Sequence, residues 1–509
     1  MKALIKNVLR QECEKHVLRH FDYLRELHDY AERKTKRENK PFNKTIHKPE
    51  WWELAPQFNP FKMRLKKRIN TYAFTLAERI RRKAYKPKPP LLYPIRKEDG
   101  SIRPLNIFQL PDAAISNLVY KSLLQKNSAR FSSYAYAYRE DRTPHHAVTD
   151  VFSEWQELDR VYVAEYDFSR FFDEISHDYL WGVLDQRIFA MSDYERHIIK
   201  EFLSIGASEK KDYPTVANPR TRGIPQGTSI SLFLANVACW ELDKDLERLG
   251  VGFARYADDT LVWGDDYSKI VRSYYLIDEN ATRMGVPINL VKSHGISLLS
   301  RVPKPQEIAT KKSVNYLGYE ISLEHISIAE KKVAKIKSRM SYLLYQNLLQ
   351  PLNIGIYNSA RLSGGVDEDY ATALRQLRYY LYGGLADEKL REYVRGRVRE
   401  LNFRGLMSYY PIVTNVGQLA KLDGWLIHTI RQALRARQKR WISHSATTLP
   451  GPSPDWIEKI ERLGPVLLPS KRTVDLTIPS FTLINSALRI AISRKGITAV
   501  ANPATAYYP

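Results

Sequence analysis

The tetrapeptide Tyr256-Ala257-Asp258-Asp259 constrains this chain more than any other stretch, because it sets two adjacent carboxylates between two hydrophobic runs. Val251-Gly252-Phe253-Ala254-Arg255 precedes it and Thr260-Leu261-Val262-Trp263 follows, a pattern that predicts two short strands joined by a turn carrying the acids. Adjacent carboxylates repel one another, and a divalent cation that prefers hard oxygen ligands relieves that repulsion. An ordinary solvated loop is the alternative at this point. To become a metal centre the pair needs a third acid from elsewhere in the fold.

Val161-Tyr162-Val163-Ala164-Glu165-Tyr166 reads as a strand that ends at Asp167, and an acid at a strand end can approach a neighbouring hairpin across a sheet. Phosphodiester synthesis uses such a meeting. One ion lowers the pKa of an attacking hydroxyl while a second neutralises the phosphates and the pyrophosphate leaving group. Asp167 and Asp258 are the expected bridging ligands for two magnesium ions, with manganese as a substitute and Asp259 as the auxiliary acid. Glu165, Asp173, Asp265 and Asp266 read instead as helix caps or solvent-facing acids. A second motif, Arg222-Gly223-Ile224-Pro225-Gln226-Gly227, has glycines that permit close backbone approach and a glutamine that can hydrogen-bond a nucleotide or template without adding charge. A rigid turn before the helix expected from Ser229 to Leu249 is the alternative.

Among the 509 residues Lys and Arg exceed Asp and Glu by 79 − 56 = 23, a surplus that favours a polyanionic partner, nucleic acid ahead of anionic membrane. It concentrates between Phe61 and Lys83, where Lys62, Arg64, Lys66, Lys67, Arg68, Arg79, Arg81, Arg82 and Lys83 interleave with apolar residues at helical spacing. Only Cys13 and Cys239 occur, too few for a disulfide framework or a thiolate zinc site. With no apolar run of membrane-spanning length, the sequence reads as cytoplasmic. Prolines 87, 89, 90 and 94 break the cationic segment around an expected hairpin of Leu91 to Ile95 and Ile102 to Ile107, whose Lys97 and Arg103 could meet a phosphate. Strand, helices, hairpin and helix in that order suit an α+β palm with helices behind an antiparallel sheet.

In this order the motifs resemble a reverse transcriptase of the bacterial group II intron-like superfamily, most like the defence-associated kind. Asp167-Phe168-Ser169-Arg170-Phe171-Phe172-Asp173 resembles the first catalytic motif, Arg222 to Gly227 the template and nucleotide positioning motif, and Tyr256 to Asp259 the metal-binding hairpin. The resemblance implies a right-hand polymerase. A basic helical N-terminal region would cover 1–90, fingers 91–160, palm 161–325, a helical thumb or maturase-like domain 326–440, and a C-terminal extension 441–509. It also implies that Arg103 with Lys97 holds the incoming triphosphate, that Phe168, Arg222, Gln226 and Gly227 line the substrate site, and that Tyr138 and Arg139 contact template. Phe172 falls at the sugar-discriminating position, so its ring would obstruct a 2′-hydroxyl. Lys292, within Asn289-Leu290-Val291-Lys292-Ser293, would stand near the leaving pyrophosphate.

Tyr316-Leu317-Gly318-Tyr319 resembles the primer-grip hairpin, with Tyr316 and Gly318 beside the primer. Phe403 to Tyr410 and Leu419 to Arg431 resemble the thumb and maturase region, which makes Arg435 and Arg437 expected backbone contacts for RNA or a hybrid. The implied activity is RNA-directed DNA polymerisation from dNTPs, with a primer, a DNA product and a structured noncoding RNA as template or scaffold, in antiphage defence; homo-oligomers occur among such relatives. The rivals are a group II intron-like maturase whose main role is intron RNA binding and splicing, an RNA-directed RNA polymerase, and a catalytically silent RNA-binding scaffold. Residues 441–509 contain no cysteine and no metal-ligand cluster of an intron-type nuclease, which favours the defence reading. Tyr507 and Tyr508 are chemically suitable for self-priming, though ordinary terminal aromatics are the plainer reading.

Overall fold

Burial of Val161, Val163, Ala164 and Tyr166, residues that point to both faces of the strand Arg160–Tyr166, suits this segment, β3, to the centre of a sheet. The computed structural model, which describes residues 1–96, 100–215, 218–293, 295–302, 308–362, 366–445, 464–467, 471 and 473–500, pairs it on both sides. Those residues divide into two compact units. One comprises 1–28, 45–147 and 160–311, the other 29–44, 148–159 and 312–509.

The first unit is built on a five-stranded sheet. With β1 as Leu91–Arg96 and β2 as Ile102–Ile107 forming a separate hairpin, the sheet comprises β3, β4 (Gly252–Tyr256), β5 (Asp259–Gly264), β6 (Ile296–Ser300) and β7 (Thr310–Lys311). Their order is β4-β5-β3-β6-β7, antiparallel throughout except for the short parallel pair β6 with β7. This is the sheet expected of a palm. Helix Tyr267–Met284 covers it with Ile270, Ile277, Ala281 and Met284, spaced at intervals that return to one helical face. The helix starts where Asp266 accepts from the backbone N–H groups of Ser268 at 2.8 Å and Lys269 at 3.4 Å, and it stops at left-handed Gly285.

Two expected helices are interrupted. The run from Ser229 to Leu249 forms Ser229–Ala238 and Trp240–Leu249, bent at buried Cys239 with φ −89° and ψ 3°. The cationic run forms Pro60–Met63 and Lys66–Arg81, because Leu65 adopts φ −58° and ψ 128°; the second helix buries Ile69, Ala73, Leu76 and Ile80. Arg64, Lys66 and Lys67 face solvent.

In the second unit, β8 (Val314–Tyr316), β9 (Tyr319–Ile321) and β10 (Ile326–Ile328) form an antiparallel sheet in the order β10-β9-β8. Its helices include Glu330–Leu344, Glu368–Tyr382 and Val416–Ser445. Helix Phe481–Lys495, from the expected C-terminal extension, buries Phe481, Ile484, Ala487, Leu488 and Ala491. Its start is held by Asp423, which accepts from the N–H of Phe481 at 2.5 Å and the hydroxyl of Ser480 at 2.8 Å. This part of the extension is therefore an integral helix of the unit. Tyr507 and Tyr508 lie outside the described residues. Among the described residues no helix is long and apolar enough to cross a membrane, and both cysteines are buried and free.

Candidate active site

The register of the sheet brings the acids together. Tyr166 pairs with Thr260 across β3 and β5, and Tyr256 pairs with Asp259 across the β4–β5 turn. Asp167, one residue beyond Tyr166, therefore stands level with Asp259 at the same end of the sheet, and only Ala257 and Asp258 form the turn beside it.

Asp167 is held from four directions by a single loop. Its carbonyl accepts from the N–H of Asn289 at 2.8 Å, and its own N–H donates to the hydroxyl of Ser293 at 3.3 Å. Its Oδ2 receives the Lys292 ammonium at 2.7 Å and the Asn289 amide at 3.4 Å. That hydrogen bond holds the Lys292 pKa above the ordinary lysine value. Burial raises the Asp258 pKa, and the negative charge of Asp167 adds to it. Asp259 is pushed up to about 7, first by the surrounding protein and then by Asp258, Asp167 and Glu165. Asp259 itself is exposed to water.

Mutually repelling carboxylates are the donor set a hard divalent cation stabilises. Lys292, at 2.7 Å from Asp167, supplies part of that positive charge. Among the described residues no three His, Cys, Asp or Glu side chains are already gathered closely enough to hold a metal ion. Of the neighbouring acids, Glu165 pairs with Lys311 at 3.0 Å and Asp266 caps its helix. Asp173 differs from its expected role as a cap or water-facing acid, since its Oδ1 accepts from the Gln226 amide at 3.1 Å.

Gln226 in turn links the hairpin to the palm. Its Oε1 accepts from Arg103 Nε at 2.6 Å and its carbonyl accepts from the N–H of Asn106 at 2.8 Å. Gly227, at φ +115°, lies so close to Asn106 that a Cβ would run into the Asn106 carbonyl oxygen. Ser231 closes the same turn by donating to the Pro225 carbonyl at 2.7 Å. Phe172 is buried with its ring edge-on to Phe171, centroids 5.5 Å apart, and to Tyr138 at 6.4 Å. Tyr138, itself left-handed at φ +60°, also lies 6.4 Å from the Tyr256 ring. Phe168 packs its side chain into the core, leaving backbone as what it can offer a substrate.

Several expected contacts are committed within the fold, although the Arg222 side chain itself stays exposed. Arg222 donates to the carbonyls of Glu174 at 3.1 Å and Gly285 at 3.3 Å, which makes it a tie between loops. Arg139, whose side chain is 6% exposed, pairs with Asp141 and donates to the Ser132 carbonyl at 2.7 Å, so its charge is spent internally rather than on template. Arg437 is 2% exposed and gripped by Asp367 at 2.6 Å and Asp369 at 3.0 Å, which removes it from the expected backbone contacts. Tyr316 is buried within the second unit, so its ring packs the fold instead of facing a primer; Gly318, at φ +84°, forms the β8–β9 turn. Arg435 faces solvent. Lys97 lies outside the described residues.

Two contributors escaped the sequence reading. Asn289, inside a recognised segment, binds Asp167 through both backbone and side chain. Arg255, a lone cation in the apolar run before Tyr256, is completely buried against Asp243. Its isolation in a hydrophobic strand was the available signal, since a buried arginine requires a partner.

Residues 95–321 match the family described as Reverse transcriptase (RNA-dependent DNA polymerase), and Asp167, Asp258, Asp259 and Lys292 all fall within them. Protein YkfC of Escherichia coli (strain K12) is 27% identical over 192 residues, which is 36% of this chain and 48% of that protein. Group II intron-encoded protein LtrA of Lactococcus lactis subsp. cremoris is 28% identical over 178 residues, 35% of this chain and 28% of that protein. The chain thus spans less than half the length of these curated relatives. Among solved structures, telomerase from Candida albicans in complex with a fragment of telomeric RNA aligns with a TM-score of 0.37 and 13% identity, over 79% of this chain and 68% of that one. The matched segment is similar to reverse transcriptase domains and holds the acids described above.

Proposed function

We propose that this protein is an RNA-directed DNA polymerase that adds deoxynucleotides to a primer. The observation that carries this reading is the sheet register that sets Asp167 level with Asp259, beside the Ala257-Asp258 turn, inside the segment that matches the reverse transcriptase family. Asp167, Asp258 and Asp259 would hold the magnesium ions, which would supply activation of the primer hydroxyl and neutralisation of triphosphate charge. Arg103, steered by Gln226, directs its guanidinium to the triphosphate. Lys292 holds a proton on Nζ beside Asp167 and delivers it to the departing pyrophosphate. Phe172, braced by Phe171, obstructs a 2′-hydroxyl and selects deoxynucleotides.

The template in this reading is a structured noncoding RNA and the biological role antiphage defence, supported by the motif resemblance and the exposed cations of the N-terminal helices. Similarity to a group II intron-encoded protein favours a second reading, a maturase that binds intron RNA. Purified protein, magnesium and a defined primer on an RNA template, supplied separately with dNTPs and rNTPs, test the activity. Extension with dNTPs and its loss in Asp258→Ala with Asp259→Ala are expected; extension that survives this double substitution overturns the assignment. Sequencing the copurified RNA separates the two biological readings, a compact noncoding RNA supporting defence and an intron supporting the maturase.

A further inference from the structure

The turn that presents Asp258 and Asp259 is held in a costly shape. Ala257 sits at φ +60°, a region that residues with a Cβ rarely enter. In the β4–β5 ladder the Tyr256–Asp259 pair closes the turn. The Arg255 side chain, 0% exposed, reaches forward to the turn. Its Nη1 donates to the Ala257 carbonyl at 3.1 Å and to Asn236 Oδ1 at 3.3 Å. Its other two nitrogens, Nε and Nη2, each meet one Asp243 oxygen at 2.6 Å. Asn236 is itself oriented by donating to the Ala137 carbonyl at 2.8 Å. The backbone of Arg255 is also pinned, donating to the Tyr134 carbonyl and accepting from the N–H of Tyr136, each at 2.9 Å. The bend at Cys239 sets the direction of the helix that carries Asp243.

We propose that Arg255 is a positioning residue, braced by Asp243 and Asn236, that holds the Ala257 carbonyl and so fixes the turn from which Asp258 and Asp259 act. A buried ion pair that only neutralised Asp243 would have no need of the carbonyl contact. Arginine suits the role because its planar fork can grip a carboxylate with two nitrogens and still spend a third on the turn, whereas a lysine ammonium is a single point charge. Carboxylates misplaced by about 1 Å cost on the order of 100-fold in rate, so the brace acts on turnover rather than on substrate affinity. This inference rests on the polymerase reading for its consequence but not for its geometry.

The test uses Arg255→Lys alone and combined with Ala257→Gly, a residue that adopts positive φ freely. Hydrogen exchange of the amides in 253–263 is followed in the full chain without metal or nucleic acid. Exchange about tenfold faster in Arg255→Lys, brought back toward wild type by Ala257→Gly, is the expected result for a locally loosened turn. Primer extension should show a kcat about 30-fold lower with dNTP KM within about twofold, again recovered in part by the glycine. Should Arg255→Lys not fold, Asn236→Ala, which leaves the Asp243 pair intact, takes its place with the same expected direction. Unchanged exchange in the folded variant, or no rescue by Ala257→Gly, overturns the brace. A wild-type protein that extends no primer defeats the polymerase reading instead, while the exchange measurement still decides the role of Arg255.

Discussion

Replacing Gly227 with alanine attacks the joint between the hairpin and the palm without touching a charged group. The added Cβ would collide with the Asn106 carbonyl oxygen and would lie 3.2 Å from its carbon and 3.3 Å from Leu105 Cδ1, while φ +115° is itself unfavourable for alanine. Left-handed backbone costs about 1–2 kcal/mol, and overpacking against a strand that must retreat costs about 1–3 kcal/mol more. The retreat also stretches the Asn106-to-Gln226 hydrogen bond, worth about 1 kcal/mol. A loss of about 3–6 kcal/mol follows, or about 6–12 °C in the melting temperature at about 2 °C per kcal/mol for a unit this large. The same movement separates Arg103 from Gln226, so dNTP KM should rise about tenfold, equivalent to about 1.4 kcal/mol. Thermal melting and single-nucleotide incorporation over a dNTP titration measure both effects. Gly100→Ala is the control, since Gly100 has positive φ but nothing near the site of a Cβ. It should cost about 1 kcal/mol and leave KM unchanged. A Gly227→Ala protein with wild-type melting and KM within twofold would refute the close-approach argument.

Two further outcomes follow from the same structure. Lys292 is 66% exposed, so its pair with Asp167 contributes under about 1 kcal/mol to stability; Lys292→Ala should melt within about 2 °C of wild type while kcat falls about 100-fold, measured by rapid-quench incorporation. Asp112, buried and accepting from the Tyr85 hydroxyl at 2.7 Å and the N–H of Lys88 at 3.0 Å, has its pKa pushed up by burial to about 6. A raised acid stabilises the fold fully below its ordinary value of 3.8 and loses that contribution as pH rises through about 6, an amount on the order of 3 kcal/mol. Denaturant melts of wild type and Asp112→Asn from pH 4 to 8 should therefore diverge across that window, the wild type losing stability relative to the variant; parallel profiles would remove Asp112 as the cause.

The features legible in the sequence were those written in local pattern. Hydrophobic runs and turn residues announced the β1–β2 and β4–β5 hairpins, and a strand emptying into an acid announced Asp167. The helix breaks at Leu65 and Cys239 were not legible, because neither position is glycine or proline and tertiary packing outweighed helix propensity there. Cations misled for a related reason. Arg437 follows its partners Asp367 and Asp369 by 70 and 68 residues, a separation no local pattern reports. A run of Lys and Arg reveals net charge, but only the folded neighbours determine which of those charges reach solvent.

The pairing of Tyr166 with Thr260 carries a consequence for how such a chain can change over time. Side chains on a strand alternate faces, so a slip of one residue reverses every one of them. Loops and outer helices can gain or lose residues while the sheet compensates elsewhere. A single inserted or deleted residue inside β3, or between Tyr256 and Thr260, has no such outlet and would set one acid out of step with the others. Insertion and deletion are therefore closed to this chain over the few residues that count the distance between strand and turn.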